Sequence, residues 1–107
     1  MRRGEIRWYT FRAPDKRRPV LILARGEILD QIGEVIVVPV TRTVRGLRTE
    51  VLLTTKDHMP VACALNFDHV SLAQVGRIGA TIATLEPERW DEVRAALLTA
   101  CGFLDSM

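Results

Sequence analysis

Basic and hydroxyl side chains stand where two apolar segments of this sequence begin and end. Arg18 comes immediately before the apolar segment 19–24. The apolar segment 35–40 is followed by four polar residues, Thr41, Arg42, Thr43 and Arg45. A guanidinium presents a planar fork of N–H donors that matches two phosphate oxygens, and a hydroxyl adds a neutral hydrogen bond. Such residues at the rim of a packed domain are suited to binding phosphate groups.

The basic residues near these segments form a larger set. Residues 1–50 carry eleven Lys or Arg against six Asp or Glu, whereas residues 51–107 carry four against seven. The set comprises Arg12, Lys16, Arg17, Arg42, Arg45 and Arg48. Any one of them alone is more often a solvated residue at a domain rim than a ligand contact. Together on two adjacent loops, they favour a surface that follows a phosphate backbone.

Short strands are predicted along most of the chain. Alternation and β-branched or aromatic content indicate strands at 5–11, 19–24, 35–40, 49–53, 61–65, 67–73 and 78–84. The unbroken β-branched segment 35–40 is typical of a strand buried on both faces. A turn at 45–47 predicts that 49–53 pairs with it in an antiparallel hairpin. Residues 25–34 fit a short helical turn or an irregular crossover.

A helix is predicted from Pro87 onward. Trp90, Val93, Leu97 and Leu104 fall on one helical stripe, and Gly102 suits the C-terminal stop. Short strands followed by one amphipathic helix predict a mainly β fold with a C-terminal helix. We expect a small, strongly curved antiparallel sheet or SH3-like barrel with the helix packed on it. The 107 residues suffice for one domain, which we expect to span the whole chain.

Composition is that of a globular protein, with 48% hydrophobic and 26% charged residues. No apolar segment approaches the roughly 20 residues that a membrane span needs. No apolar segment of the signal-peptide type follows the basic N-terminal residues, so we expect a cytoplasmic protein. Cys63 and Cys101 lie in apolar sequence without metal-binding or redox spacing, which predicts small buried side chains.

Several other residues allow two interpretations. His58 and His69 have side chains suited to proton transfer, but a lone histidine is more often structural, and His69 falls in a predicted strand. Tyr9 and Phe11 are candidates for stacking on unpaired bases, although aromatic residues on strands more often belong to the core. Trp8 and Trp90 are assigned to packing.

Four ordered segments resemble the MazF/PemK family of endoribonuclease toxins. They are Arg-Arg-Gly-Glu-Ile-Arg-Trp at 2–8, Arg-Arg-Pro-Val-Leu-Ile-Leu at 17–23, Val-Ile-Val-Val-Pro-Val-Thr-Arg-Thr-Val-Arg at 35–45, and Thr-Glu-Val-Leu-Leu at 49–53. The second half of the chain, with Asn-Phe-Asp-His-Val at 66–70, is similar to the family more loosely. Each segment alone is weak evidence, whereas the ordered set is specific.

The resemblance implies an SH3-like barrel of the MazF/PemK/CcdB type that forms a homodimer. It also implies cleavage of single-stranded RNA without a metal or other cofactor, inhibition of translation and growth, and control by a MazE-like antitoxin. The family's cleavage residues match Arg18 and Thr41, and the basic set with Thr43 becomes the expected RNA contact. The family's longer first loop, with Gly-Ser-Glu-Gln-Gly-Gly, is absent, so its glutamate has no counterpart and Asp15 is only a nearby carboxylate.

The implied reaction uses the 2′-OH of RNA as nucleophile. Arg18 would stabilise charge on the phosphorane and Thr41 would add a neutral hydrogen bond. Neither role accounts for the general base that removes the proton of the 2′-OH. Two other functions fit the same fold class. One is a CcdB-like toxin that binds a protein such as gyrase without catalysis, and the other is a non-toxic SH3-like interaction module.

Overall fold

Seven strands and one C-terminal helix occur in the computed structural model, which describes residues 1–12, 16–23 and 33–104. The strands are β1 (Glu5–Thr10), β2 (Arg17–Ile22), β3 (Glu34–Thr41), β4 (Glu50–Leu53), β5 (Cys63–Asn66), β6 (Ser71–Gln74) and β7 (Ile78–Thr84). The helix α1 spans Trp90–Ala100. The mainly β prediction with a C-terminal helix is confirmed. The crossover predicted for 25–34 falls largely on residues 25–32, outside the described part of the chain.

The strands pair antiparallel in the order β4-β5-β3-β2-β1-β7, and β6 also pairs with β3. Over the described ranges no pairing joins β4 to β7, so the sheet remains open at these two ends. The predicted hairpin between β3 and β4 is wrong, because β5 pairs with both strands and lies between them. The connection is too long for a tight turn, and Glu50 holds it by accepting the backbone N–H groups of Arg45 and Leu47.

One edge of β3 pairs with two strands in succession. β6 pairs with residues 34–37 and β5 with Val40 and Thr41, so the 3₁₀ turn Phe67–His69 between them lies beside residues 38–39. The N–H of Leu23 donates to the carbonyl of Ile36, and antiparallel alternation therefore directs the nitrogen of Pro39 toward this interruption. A proline, which lacks the N–H, is tolerated in a central strand at such a position.

Side chains on the two faces of β3 pack in different parts of the core. Val35 and Val37 join a cluster with residues of β1, β2 and β6, whereas Val38 and Val40 join the larger cluster beneath α1. The prediction that the strand at 35–40 is buried on both faces is wrong at Ile36, which is 43% exposed. The helix packs at the β4 end of the sheet and leaves the beginning of β3 uncovered on that face.

The C-terminal helix follows a 3₁₀ turn at Pro87–Arg89. Its Val93 and Ala96 are buried against the sheet, and Gly102 ends it with a φ of 80° that favours glycine. Burial is confirmed for Cys63, where it raises the pKa of the thiol. It is wrong for Cys101, which follows the last helical residue and is exposed. None of the helices in the described ranges has the length and apolar character of a membrane span.

A buried ion pair joins the beginning of α1 to the turn after β4. Asp57 is 8% exposed, and its Oδ2 accepts the N–H of Thr54 at 2.9 Å. Nη1 of Arg89 donates to Oδ1 of Asp57, and Nη2 donates to the carbonyl of Leu52 at 2.7 Å. Burial opposes the charge on Asp57, but the hydrogen bonds from Thr54 and Arg89 outweigh it, so the pKa of Asp57 lies below its ordinary value.

Candidate active site

An open cavity of about 420 Å³ lies at the ends of β2 and β3, on the sheet face opposite α1. Its polar lining residues are Arg12, Lys16, Arg18, Thr41, Asn66, His69 and Ser71. Its apolar lining consists of Phe11, Pro39 and Val40. A concave surface with a few convergent polar groups is the usual form of a binding or catalytic site.

Strand register brings Arg18 and Thr41 together. Arg18 pairs with Tyr9 of β1, and Val20 pairs with Pro39 of β3. The β2–β3 register, continued by two residues, sets Arg18 opposite Thr41, and both residues line the cavity. Directly opposed side chains of an antiparallel pair share a face, with Cβ atoms about 5 Å apart. The two residues can therefore contact one ligand.

The hydroxyl of Thr41 is oriented by the segment that follows it. Thr41 is half-buried, and its Oγ1 accepts the backbone N–H of Thr43 at 3.1 Å. A hydroxyl has one proton to donate, and accepting this bond leaves that proton available. Thr41 can thus donate a hydrogen bond to an oxygen bound in the cavity.

Three of the described residues that line the cavity are cationic. Arg12, Lys16 and Arg18 are exposed and belong to its lining, and no carboxylate occurs among the described lining residues. Charge of one sign in a cleft raises the local concentration of ligands of the opposite sign. The cavity is therefore suited to an anionic ligand with several phosphate groups. Asp15, the nearby carboxylate noted in the sequence, lies outside the described residues.

Arg17 does not share the cavity with its neighbour. Successive residues of a strand point to opposite faces, and the side chain of Arg17 lies over the ring of Trp8, 4.7 Å from its centroid. This cation–π contact holds Arg17 on the other face of the sheet. The two adjacent arginines therefore have different surroundings: Arg18 lines the cavity, whereas Arg17, which the sequence predicts to contact RNA, does not.

The remaining predicted contacts follow β3. They are Arg42, Thr43, Arg45 and Arg48, all exposed and outside the cavity lining. Thr43 contacts the site through the hydrogen bond that its N–H donates to Oγ1 of Thr41. The structure therefore divides the predicted basic set into a cavity group, Arg12 and Lys16, a flanking group that follows β3, and Arg17 on the opposite sheet face.

His69 is a cavity residue that the sequence assigned to a structural role. The prediction that it lies in a strand is wrong, because it ends the 3₁₀ turn Phe67–His69, where it is exposed. Its carbonyl accepts the hydroxyl proton of Ser71 at 3.0 Å. His69 and Ser71 both line the cavity, and so does Asn66.

The sequence contained a local signal for this turn. The side chain of Asn66 accepts the N–H of Asp68 at 3.1 Å, an arrangement by which Asn commonly begins a turn. An Asn two residues before Asp indicated an interruption between β5 and β6. No local signal indicated that the turn faces Arg18, because that depends on pairing between distant strands.

The two aromatic candidates for base stacking differ in burial. Tyr9 is 6% exposed, and its hydroxyl accepts the N–H of Gln74 at 3.1 Å, so it belongs to the core. Phe11 is half-buried, meets Tyr9 edge-to-face at 4.7 Å and lines the cavity. Phe11 is thus the aromatic residue available to a ligand there.

No group of three His, Cys, Asp or Glu residues that could hold a metal ion occurs among residues 1–12, 16–23 and 33–104.

Comparison with known families identifies the chain. The family model of the PemK-like, MazF-like toxins of type II toxin–antitoxin systems matches residues 2–100. The chain belongs to this family. The matched region of this MazF-like chain includes the whole cavity lining. It is 39% identical over 103 residues to a probable endoribonuclease MazF2 of Mycobacterium tuberculosis, covering 95% of this chain and 99% of the relative.

Solved structures share the fold. The toxin MazF-mt6 of Mycobacterium tuberculosis has a TM-score of 0.85 at 30% identity, covering 94% of this MazF-like chain and 98% of that one. A MazF structure from a MazE–MazF crystal of Deinococcus radiodurans has a TM-score of 0.82 at 25% identity, covering 97% and 98%. The predicted MazF-type fold is confirmed.

Proposed function

We propose that this chain is an endoribonuclease toxin that cleaves single-stranded RNA, folded as a single domain of residues 1–107. The observation that carries the proposal is that Arg18 and Thr41 line one open cavity together with the cationic side chains of Arg12 and Lys16. Membership of the toxin family and the naming of relatives as endoribonucleases support it. The cation-rich lining suits the phosphates of RNA, and the apolar side chain of Phe11 offers a surface for an unpaired base.

The chemistry uses the 2′-OH of the RNA itself. The 2′ oxygen attacks the adjacent phosphorus, a bond forms between them, and the bond from phosphorus to the 5′ oxygen breaks. The products are a 2′,3′-cyclic phosphate and a 5′-hydroxyl. Arg18 donates to the phosphoryl oxygens as charge builds on the phosphorane, and Thr41 adds the hydrogen bond that its orientation allows.

The other basic residues hold the RNA on either side of the cleaved bond. Arg12 and Lys16 contact phosphates within the cavity. The flanking group after β3 extends the contact along the RNA strand. It comprises Arg42, Thr43, Arg45 and Arg48. Arg17 contributes positive potential from the opposite sheet face rather than a cavity contact.

The chain acts in the cytoplasm and is inhibited by a cognate, MazE-like antitoxin. Its family is defined by type II toxin–antitoxin systems, and the Deinococcus radiodurans structure contains MazE together with MazF. An antitoxin that shields the cations of the cavity prevents cleavage by excluding RNA.

Cleavage is expected to need no metal, because the proposed chemistry relies on protein side chains alone. Purified chain should cut single-stranded RNA in excess EDTA and leave 5′-hydroxyl ends at a recurring short motif. End mapping with and without EDTA measures this. Cleavage that stops in EDTA contradicts the mechanism. Growth arrest with intact RNA and damaged DNA favours a CcdB-like gyrase poison, and unchanged growth favours a non-toxic interaction module.

The chain also forms a homodimer through an exposed apolar row. Ile36 and Leu72 pair across β3 and β6 and are 43% and 62% exposed. The N–H of Leu23 donates to the carbonyl of Ile36, and Leu23 is buried, only 9% exposed, at the base of a groove lined by Trp90 and Leu97 next to this row. A continuous exposed apolar surface marks an interaction site, and a two-fold dimer covers it with the same surface of a second copy.

Leu72→Glu should weaken this dimer by at least about 30-fold, because it places a charge in an apolar contact. Light scattering after gel filtration then reports the mass of one 12.0 kDa chain instead of two. Leu52→Glu is the matched control, since Leu52 is 49% exposed on β4 at the far end of the sheet. A dimer that survives Leu72→Glu, or dissociates equally with Leu52→Glu, contradicts this location.

A further inference from the structure

Among the described residues that line the cavity, one has a side chain of the type that accepts a proton near neutral pH. Guanidinium and ammonium groups are ordinarily protonated, and hydroxyl and amide groups are poor bases. Imidazole is the side chain that ordinarily exchanges a proton in this range. Among the described lining residues, only His69 is a histidine, and none is a carboxylate.

The backbone around His69 is fixed by three hydrogen bonds. The N–H of Phe67 donates to the carbonyl of Thr49, the side chain of Asn66 accepts from Asp68, and the hydroxyl of Ser71 donates to the carbonyl of His69. The ring of Phe67 is buried in the core, 2% exposed, and anchors the same turn. A residue held in this way but exposed beside a cavity keeps its position when a ligand binds.

We propose that His69 is the general base of the cleavage reaction. This role rests on the proposed endoribonuclease function. A ring nitrogen of His69 takes the proton of the 2′-OH as the 2′ oxygen bonds to phosphorus. The bond from phosphorus to the 5′ oxygen then breaks, that oxygen takes a proton from water, and the resulting hydroxide takes the proton that His69 holds. Arg18 and Thr41 stabilise the phosphorane while His69 removes the proton.

The charged groups around His69 are mainly cations. Arg12, Lys16 and Arg18 line the same cavity. The adjacent carboxylate of Asp68 does not line the cavity, and its Oδ2 accepts the hydroxyl proton of Thr49 at 2.7 Å.

His69→Asn tests the role, because asparagine keeps a polar side chain of similar reach but is not a base. Single-turnover cleavage of a random-sequence RNA pool should fall by about 100-fold or more. Binding of the same pool made with 2′-O-methyl ribose, which cannot be cleaved, should stay unchanged. The wild-type cleavage rate should increase with pH, as a reaction that needs a free base does, and His69→Asn should lose that increase.

His58→Asn is the matched control. His58 lies outside the cavity, with Nε2 3.7 Å from Oε1 of Glu86, and asparagine tolerates its φ of 66°. This variant should cleave at the wild-type rate. Unfolding curves that match the wild type show that both variants are folded.

Three outcomes overturn the role of His69. One is cleavage by His69→Asn at the wild-type rate with the same pH dependence, which leaves the endoribonuclease function intact. Another is a loss of 2′-O-methyl RNA binding as large as the loss of cleavage, which makes His69 a binding residue. The third is a wild-type chain that cuts no RNA, which overturns the proposed function itself.

Discussion

Arg18→Ala should lower RNA cleavage by about 100- to 1,000-fold, because it removes the donor that stabilises charge on the phosphorane. The free energy of unfolding should hardly change, since Arg18 is exposed at the cavity and belongs to neither core cluster. Single-turnover cleavage and chemical unfolding measure the two effects. Arg18→Lys should recover only part of the rate, because an ammonium cannot make the bidentate contact of a guanidinium.

The neighbouring arginine offers a control for charge. Arg17→Ala removes the same charge from the same strand, but its side chain lies over Trp8 on the opposite face. It should reduce RNA binding at low salt slightly and leave the cleavage step intact. If both alanine variants lose cleavage equally, the loss reflects total charge, and the role assigned to Arg18 is wrong.

Arg89→Ala should destabilise the fold by about 3 kcal/mol, because it leaves the buried carboxylate of Asp57 without its cationic partner. It also removes the hydrogen bond from Arg89 to the carbonyl of Leu52, which ties α1 to β4. Urea unfolding at neutral pH measures the change. Arg94→Ala is the control, because Arg94 pairs with Asp91 on the same helix at an exposed position. An exposed pair of this kind contributes about 0.5 kcal/mol at most.

The same pair predicts an acid dependence of stability. The pKa of Asp57 is lower in the folded chain than its ordinary value of 3.8, so its contribution is complete above that value. The contribution is lost as the pH falls from about 4 through the folded-state pKa. Arg89→Ala should therefore lose less stability than the wild type over this acid range. Parallel acid dependence in the two proteins contradicts the assignment.

Features that depend on neighbouring residues were predictable from the sequence. The helix follows from its apolar period, with Pro87 before it and Gly102 after it. Arg18 and Thr41 were identified through the family resemblance, and both stand at strand ends, where local pattern placed them.

Features that depend on pairing between distant strands were not predictable. The sequence placed the beginning of the second strand at residue 19, whereas β2 begins at Arg17, and this difference puts Arg17 and Arg18 on opposite faces. β5 inserts between β3 and β4, which no local turn signal indicates. The position of His69 in the same cavity as Arg18 depends on the same long-range register.

The pairing of β1 with β7 has a consequence for synthesis on the ribosome. β1 supports β2, which carries Arg18, and the other edge of β1 is covered by β7 near the end of the chain. A nascent chain therefore exposes one edge of β1 until residue 84 has left the exit tunnel. During folding, contacts between residues far apart in the sequence form more slowly than contacts between near neighbours. The strand that supports Arg18 therefore gains its second neighbour only after every described residue that lines the cavity has been synthesised.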